Sequence, residues 1–280
     1  MLKKRITTAI FVAIIFSVAL LFLEPYAFSI FSAAIIVYAG WEWARLSGLL
    51  TLPSRLLYTF FVLSILILSG YILGLAKTTP IHLGVAKVLM TWLVPWWAIA
   101  LLWIQGYPSS AVLWGSRYVR GIMGLLVLVP TWLAIVILIS LGNGKWLVFV
   151  VVLIVAFADI GAYFSGSRFG KNKLSPNVSP NKTWEGFLGA ITANFCLISF
   201  LGIFLKLNLT EWLMLFFTVM ATVFAAVVGD LLESMMKRHL GVKDSGKILP
   251  GHGGVLDRVD SLTAALPVFT LIFIYSSFQL

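Results

Sequence analysis

Four aspartates are unusual because each lies inside or at the edge of an apolar run: Asp159, Asp230, Asp257 and Asp260. A carboxylate in the middle of a membrane helix costs about 2.5–3.5 kcal/mol on an insertion scale. Such residues therefore usually face a cavity, a partner group or an ion. One of them alone could be a structural hydrogen-bond acceptor, but four at a similar depth are difficult to explain in that way.

The last two of these aspartates are three residues apart, so on a helix Asp257 and Asp260 point in directions about 60° apart. With a third carboxylate from a neighbouring helix, they repel one another unless a positive group lies among them. Mg²⁺ is the natural candidate, because it takes hard oxygen ligands and shares its shell with water and phosphate oxygens. We expect Asp230, Asp257 and Asp260 to hold it, with Asp159 as a fourth ligand. Four carboxylates also leave room for a second, monovalent ion such as K⁺.

The last apolar run is preceded by a densely charged stretch, KDSGKILPGHGGVLDRVDS at 243–261. Its glycines Gly251, Gly253 and Gly254 allow unusual backbone conformations and let a ligand approach the main chain closely. His252, between glycines, is more typical of a substrate contact or a proton-handling group than of a core residue. The cations of this loop, Lys243, Lys247 and Arg258, supply positive charge for a polyphosphate.

A second polar segment, SGSRFGKNKLSPNVSPNKTWEG at 165–186, combines glycines with five hydroxyl residues and four cations. Asn181 or Thr183 could be the N-cap of the helix that begins here, so free backbone N–H groups and Lys182 would lie together. A helix start of this kind favours an anion. A basic loop is also expected without any ligand, so this segment alone is weak evidence.

The composition requires a lipid environment. The chain has 280 residues, of which 61% are hydrophobic, and its mean hydropathy is +1.04; no soluble domain of this length can bury so much apolar surface. The net charge of +10 is then interpreted as anchoring to anionic lipid on the cytoplasmic side, not as nucleic-acid binding. The single cysteine, Cys196, forms no internal disulfide and is expected to be inert.

A bilayer core about 30 Å thick needs roughly 20 apolar residues per helix. The sequence accordingly predicts one all-α integral membrane domain, 1–280, with about nine spans. The predicted spans are 6–23, 26–40, 56–75, 83–104, 121–141, 146–164, 184–205, 211–232 and 258–279. The basic start and the long apolar run without a small-residue cleavage site predict a first span, not a cleaved signal. The second span is short and is expected to extend into WEWARL.

The distribution of cations predicts the orientation. With the N-terminus in the cytoplasm and the C-terminus outside, sixteen of the 20 Lys and Arg residues lie on the cytoplasmic side. The other four are Lys77, Lys87, Lys145 and Lys206. This bias follows the positive-inside rule and brings the four aspartates to the cytoplasmic side. Four of the six remaining acidic residues, Glu24, Glu42, Glu211 and Glu233, are interpreted as solvated positions near loops or span ends.

Carboxylates for a metal, cations for phosphate and flexible glycine backbone are together what phosphoryl or nucleotidyl transfer demands. The sequence contains no Walker-type loop, no G-x-G-x-x-G and no H-E-x-x-H motif. Nucleotide-binding folds of soluble enzymes are therefore unsupported, and the chemistry is expected inside the membrane domain.

The stretch SMMKRHLGVKDSGKILPGHGGVLDRVDSL at 234–262 resembles the signature of the phosphatidate cytidylyltransferase family, also called CDP-diacylglycerol synthases. The matching positions are Ser234, Lys237, Arg238, Lys243, Asp244, Pro250, His252, Gly253, Gly254, Asp257, Arg258 and Asp260. The stretch DIGAYFSGSRFGKNKLSPNVSPNKTWEG also looks like a second conserved segment of that family. The signature-bearing catalytic region is then about 155–262.

The resemblance implies a reaction in which CTP and phosphatidic acid give CDP-diacylglycerol and pyrophosphate with a divalent metal. The implied catalytic residues are Asp230, Asp257, Asp260, His252 and Lys243. The implied substrate-binding residues are Arg168, Ser179, Asn181, Lys182, Asp244, Lys247, Gly253, Gly254 and Arg258. The partners are CTP, phosphatidic acid and bilayer lipid, with no nucleic acid. A homodimer in the inner membrane, with the site facing the cytoplasm, is also implied.

Two rival functions remain open on the sequence alone. A CDP-alcohol phosphotransferase would also cluster aspartates around Mg²⁺, but its D-x-x-D-G-x-x-A-R pattern is absent. An ion-coupled transporter also uses intramembrane carboxylates. It predicts polar residues near the midplane and an inverted repeat, whereas the acids here gather at one face. Dependence on CTP discriminates these rivals from the implied enzyme.

Overall fold

The computed structural model describes residues 2–75 and 80–276, with side chains from Thr7 onward. The elements in these ranges are α1 Leu2–Phe22, α2 Pro25–Leu46, α3 Leu52–Leu73, α4 Leu83–Thr91, α5 Leu93–Gln105, α6 Ala111–Trp114, α7 Arg117–Ile139, α8 Gly144–Phe169, β1 Lys173–Ser175, β2 Ser179–Thr183, α9 Trp184–Phe204, α10 Leu209–His239, α11 Leu256–Val259 and α12 Leu262–Tyr275. Lys77 and the C-terminal residues 277–280, to which the sequence assigns an outside position, lie beyond the described residues.

Eight segments of the described chain are long and apolar enough to cross a membrane. Two of them are pairs of helices: α4 with α5, which meet at Trp92, and α11 with α12. α1 is a further helix, whose apolar part in the described side chains is Thr7–Phe22. The all-α membrane class is thus confirmed, and the described part of every predicted span overlaps one of these segments. The count of nine spans stays a prediction. α2 continues to Leu46, so the expected extension into WEWARL is confirmed.

The centre of the bundle is α7, which packs against α2, α3, α8 and α12. In its most apolar window 83% of the residues are buried, against 28% for α3 and for α9. Such a helix is enclosed by protein, whereas α3 and α9 show most of their surface to lipid. The indole of Trp43 on α2 donates to the carbonyl of Arg120 on α7 at 2.8 Å, which fixes these two helices against each other.

Helices α8 and α9 approach each other closely because small residues face each other. A Cβ on Gly161 would collide with the backbone carbonyl of Gly189, and a Cβ on Gly189 would collide with Ser165. Small residues at such crossings let membrane helices pack through van der Waals contact. α10 packs against both helices and against α12, so α8, α9 and α10 enclose a common space.

A short antiparallel hairpin connects α8 to α9, and it contains the only strands among residues 2–75 and 80–276. Lys173 pairs with Thr183, and Ser175 pairs with Ser179. The hydroxyl of Thr183 accepts from Gly186 N–H, so Thr183 is the N-cap of α9, as one of the two predicted candidates.

The hairpin is fixed to the bundle at its base and at its turn. The Glu185 carboxylate accepts from the backbone N–H groups of Lys171 and Asn172 at 3.1–3.2 Å. At the turn, Val178 is fully buried, and its carbonyl accepts from Nε of Arg238 on α10 at 3.2 Å. The hairpin therefore has a fixed position over the space between α8, α9 and α10.

Candidate active site

A cavity of about 300 Å³ lies between α8, α9, α10 and the hairpin. Its polar lining consists of Asp159, Ser179, Asn181, Lys182, Thr183, Asp230 and Ser261. Its apolar lining includes Ala158, Ala162, Phe187, Ala190, Ala226 and Val227. A cavity lined by both charged and apolar groups suits a molecule that is both ionic and lipophilic.

Asp230 is the centre of the charge arrangement in this cavity. Its Oδ2 lies 2.5 Å from Nζ of Lys182, and its Oδ1 accepts from the hydroxyl of Ser234 at 3.2 Å. Asp159 and Asp260 both interact electrostatically with Asp230. Three of the four predicted carboxylates are therefore brought together, from α8, α10 and the residue that follows α11.

Asp257 is placed differently, because donors from the protein itself surround its carboxylate. Oδ1 accepts from Nζ of Lys237 at 2.7 Å. Oδ2 accepts from the N–H and the hydroxyl of Ser245, both at 2.9 Å, and from Gly254 N–H at 2.8 Å. Asp257 thus organises the loop before α11, and these donors leave its carboxylate little capacity to bind a metal.

Two glutamates that the sequence analysis interprets as solvated are buried, and that interpretation is wrong for both. Glu42 and Glu233 are each only 2% exposed. Glu233 forms an ion pair of 3.1 Å with Lys237, and Glu42 binds backbone N–H groups at the start of α11. The remaining two fit the interpretation better: Glu24 is exposed, and Glu211 completes a capping box at the start of α10.

The structure adds three groups to which the sequence analysis assigned no catalytic, substrate-binding or metal role: Lys237, Ser245 and Glu42. Lys237 bridges two buried carboxylates, and its spacing of four residues from Glu233 was the available signal. Ser245 bonds both Asp257 and Glu42. No local pattern links Glu42 to the loop, because the contact spans more than 200 residues of sequence.

The predicted loop glycines have the expected conformations. Gly251 and Gly253 have φ angles of 78° and 82°, the left-handed region that side chains resist. Gly254 is needed for a different reason, because a Cβ there would collide with the Ser245 hydroxyl. His252 is partly buried, with its Nδ1 enclosed and without a hydrogen-bond partner among the described residues.

The predicted cations divide into two groups. Lys182 lines the cavity, and Arg258, which is exposed, interacts electrostatically with Asp159. The side chains of Arg168, Lys243 and Lys247 are exposed and do not line the cavity. Asp244 is exposed as well, next to Gly253. The roles of these four as substrate ligands stay predictions.

The donor chemistry fits a hard divalent cation, although the described residues do not form a complete metal cage. Asp159 and Asp230 line the cavity, Asp260 interacts electrostatically with Asp230, and Lys182 is the counter-ion of Asp230. No group of three or more His, Cys, Asp or Glu side chains in residues 2–75 and 80–276 is arranged to hold a metal. In this structure the ammonium of Lys182 lies against the Asp230 carboxylate, where the metal cation is expected.

Comparison with known proteins identifies the family of this chain. The phosphatidate cytidylyltransferase of Pseudomonas aeruginosa is 41% identical over 269 residues, which cover 96% of each chain. The phosphatidate cytidylyltransferase of Haemophilus influenzae is 36% identical over 98% of this chain and 99% of its own length. That of Staphylococcus saprophyticus is 48% identical over 122 residues, 44% of this chain and 46% of its own. Since the model of the cytidylyltransferase family also matches residues 3–276, this chain belongs to that family.

Proposed function

We propose that this protein transfers the cytidylyl unit of CTP to phosphatidate, giving CDP-diacylglycerol and pyrophosphate. Two relatives that align over nearly their whole length carry the name phosphatidate cytidylyltransferase. The observation that carries the proposal is the cavity, which is lined by Lys182, Asp159 and Asp230 together with apolar residues of three membrane helices. One substrate is a lipid and the other is a water-soluble polyanion, so a site of mixed character at a helix–loop boundary suits both.

The reaction needs no nucleophile from the protein. A phosphate oxygen of phosphatidate, already an anion at neutral pH, forms a bond to the α-phosphorus of CTP. The bond from that phosphorus to the bridging oxygen of the β-phosphate breaks, and pyrophosphate leaves with the electron pair. Lys182 and Arg258 neutralise negative charge on the meeting phosphates and hold them in position, which is the main contribution a protein makes to such transfers.

The carboxylates that would hold Mg²⁺ are those of Asp159 and Asp230, which line the cavity, and of Asp260, which interacts electrostatically with Asp230. A bound Mg²⁺ would supply charge neutralisation on phosphate oxygens. Asp257 is predicted to share in this role, and it already contributes by holding Ser245 and Gly254. We propose that the predicted K⁺ binds in the same cavity, because the cavity is lined by two carboxylates, Asp159 and Asp230, and one lysine, Lys182.

The location follows from the distribution of charges. The apolar helices make this a multi-pass membrane protein, and the bacterial relatives favour the inner membrane. The excess of cations in the loops that carry the site favours the cytoplasmic face, where CTP is available. The predicted homodimer belongs to this proposal as well.

The test is product formation by the purified protein in detergent with phosphatidate, CTP and Mg²⁺. We expect CDP-diacylglycerol, identified by mass spectrometry, and pyrophosphate in equal amounts, with neither formed when any component is left out. Asp230→Asn should abolish both products, and Glu24→Gln, an exposed residue far from the cavity, should retain them. A folded wild-type protein that releases no pyrophosphate would contradict the proposal and favour the ion-transport alternative.

A further inference from the structure

Glu42 is a buried carboxylate that neither the signature nor the cavity includes. It lies on α2 among the sequence WEWAR, and its exposed fraction is 2%. A buried carboxylate is costly unless hydrogen bonds or a counter-charge compensate it. The described contacts of Glu42 are therefore informative about why the chain keeps an acid at this position.

The Glu42 carboxylate receives its hydrogen bonds from the signature loop. Oε2 accepts from Leu256 N–H at 2.8 Å, and Oε1 accepts from Val255 N–H at 3.1 Å. The hydroxyl of Ser245 lies 3.1 Å from Oε2 of Glu42 and 2.9 Å from Oδ2 of Asp257. Glu42 thus holds the two backbone groups that directly precede Asp257 and shares a serine with it.

The glycine positions of the loop are shaped around the same carboxylate. A Cβ added to Gly246 would collide with Oε1 of Glu42, and a Cβ added to Gly254 would collide with Oε2. Neither glycine has a positive φ, so their backbone conformation does not require glycine. The space that the Glu42 carboxylate occupies does.

We propose that Glu42 is a positioning residue for cytidylyl transfer, which fixes the start of α11 and thereby sets Asp257, Arg258 and Asp260 relative to the cavity. This inference rests on the proposed function. It implies that the N-terminal helices do more than anchor the chain, since α2 supplies the clamp for a loop more than 200 residues away. Removal of a supporting partner of this kind typically costs about 10- to 100-fold in activity.

The experiment compares Glu42→Gln with Glu24→Gln, the same change at the exposed N-cap position of the same helix. Hydrogen exchange measured by mass spectrometry follows the amides of Val255 and Leu256. We expect these amides to exchange faster in Glu42→Gln, because the charged acceptor is lost, and at the wild-type rate in Glu24→Gln.

Steady-state kinetics then separate positioning from general weakening of the fold. We expect kcat of Glu42→Gln to fall by about 10- to 100-fold while KM for phosphatidate keeps its wild-type value. A lower kcat with an unchanged KM indicates that the variant loses the positioning of groups needed in the transition state and keeps lipid binding. A merely structural role would lower the amount of folded protein and leave the kcat of the folded fraction unchanged.

A second variant, Gly246→Ala, keeps Glu42 but displaces its carboxylate. It tests the positioning role of Glu42 if Glu42→Gln does not fold. The same faster exchange and the same loss in kcat are expected. Unchanged exchange at Val255 and Leu256, or faster exchange with unchanged kcat, would overturn the inference. Failure of the wild-type protein to make CDP-diacylglycerol would instead overturn the proposed function, so the two failures are distinguishable.

Discussion

Lys237, a cation of the signature, forms ion pairs inside the protein. Its ammonium lies 2.7 Å from Asp257 and 3.1 Å from Glu233, and all three side chains are at most 11% exposed. A cation in such a place cannot at the same time meet a substrate phosphate. The adjacent Arg238 is also occupied, since it holds the carbonyl of Val178 in the hairpin. Among the signature cations, Arg258 interacts electrostatically with Asp159, which lines the cavity.

Replacement of Lys237 by methionine should be strongly destabilising. It leaves Glu233 and Asp257 buried without their counter-ion, which costs about 3–5 kcal/mol when one partner of a buried pair is removed. Unfolding of the purified protein in detergent measures this loss. Lys171→Met, the same change at an exposed position, should stay within about 0.5 kcal/mol of wild type. The double variant Glu233→Gln/Lys237→Met should recover part of the loss, and no recovery would contradict the pairing.

The metal proposal makes a separate prediction at Asp230. Mn²⁺ reports binding by electron paramagnetic resonance without any turnover, and we expect Asp230→Asn to weaken that binding by at least about tenfold. The reason is that both Asp159 and Asp260 interact electrostatically with Asp230. Glu24→Gln is the control that should bind Mn²⁺ as wild type does. Equal binding by both variants would exclude Asp230 as a ligand.

At the scale of helices and strands, the sequence predicted the apolar segments well because each needs only length and hydrophobicity. The hairpin was not predicted, since SPNKT has no alternation of apolar and polar residues that would indicate a strand. Its position depends on Val178 and Arg238, which are 60 residues apart. That Asp159 and Asp230 lie close enough to interact was predicted from the directions of α8 and α10 alone. The hydrogen bonds between Glu42 and the loop before α11 depend on tertiary packing, which no local sequence pattern predicts.

The close crossing of α8 and α9 gives a prediction at this scale. Gly161→Ala places a methyl group against the backbone carbonyl of Gly189, which cannot move without displacing α9. We expect a loss of about 1–3 kcal/mol, typical of overpacking, together with lower activity because the two helices enclose the cavity. Gly84→Ala is the matched control, because no atom lies within 4 Å of the added Cβ. Thermal unfolding should show a lower midpoint for the first variant only.

At the scale of the whole molecule, the described contacts divide the bundle into two ends of different chemistry. The end that carries the site collects the C-terminal parts of α2, α8 and α10 and the start of α11, joined through Glu42, Arg238 and Asp257. At the other end, Lys145 at the start of α8 donates to the carbonyl of Leu21 at the end of α1. Charged side chains with partners are concentrated at the first end, where both substrates are expected to meet.

The orientation of these two ends in the membrane can be tested by cysteine labelling, because Cys196 is the only cysteine of the chain. In a Cys196→Ala background, single cysteines replace Pro176 in the hairpin turn and Gly142 between α7 and α8, both of which are exposed. The positive-inside rule predicts that the hairpin is cytoplasmic and Gly142 is outside. A membrane-impermeant maleimide should therefore label Gly142→Cys in intact cells, and Pro176→Cys only after the membrane is opened. The reverse pattern would show that the site faces away from CTP. Labelling of both in intact cells would mean that α8 does not cross the bilayer.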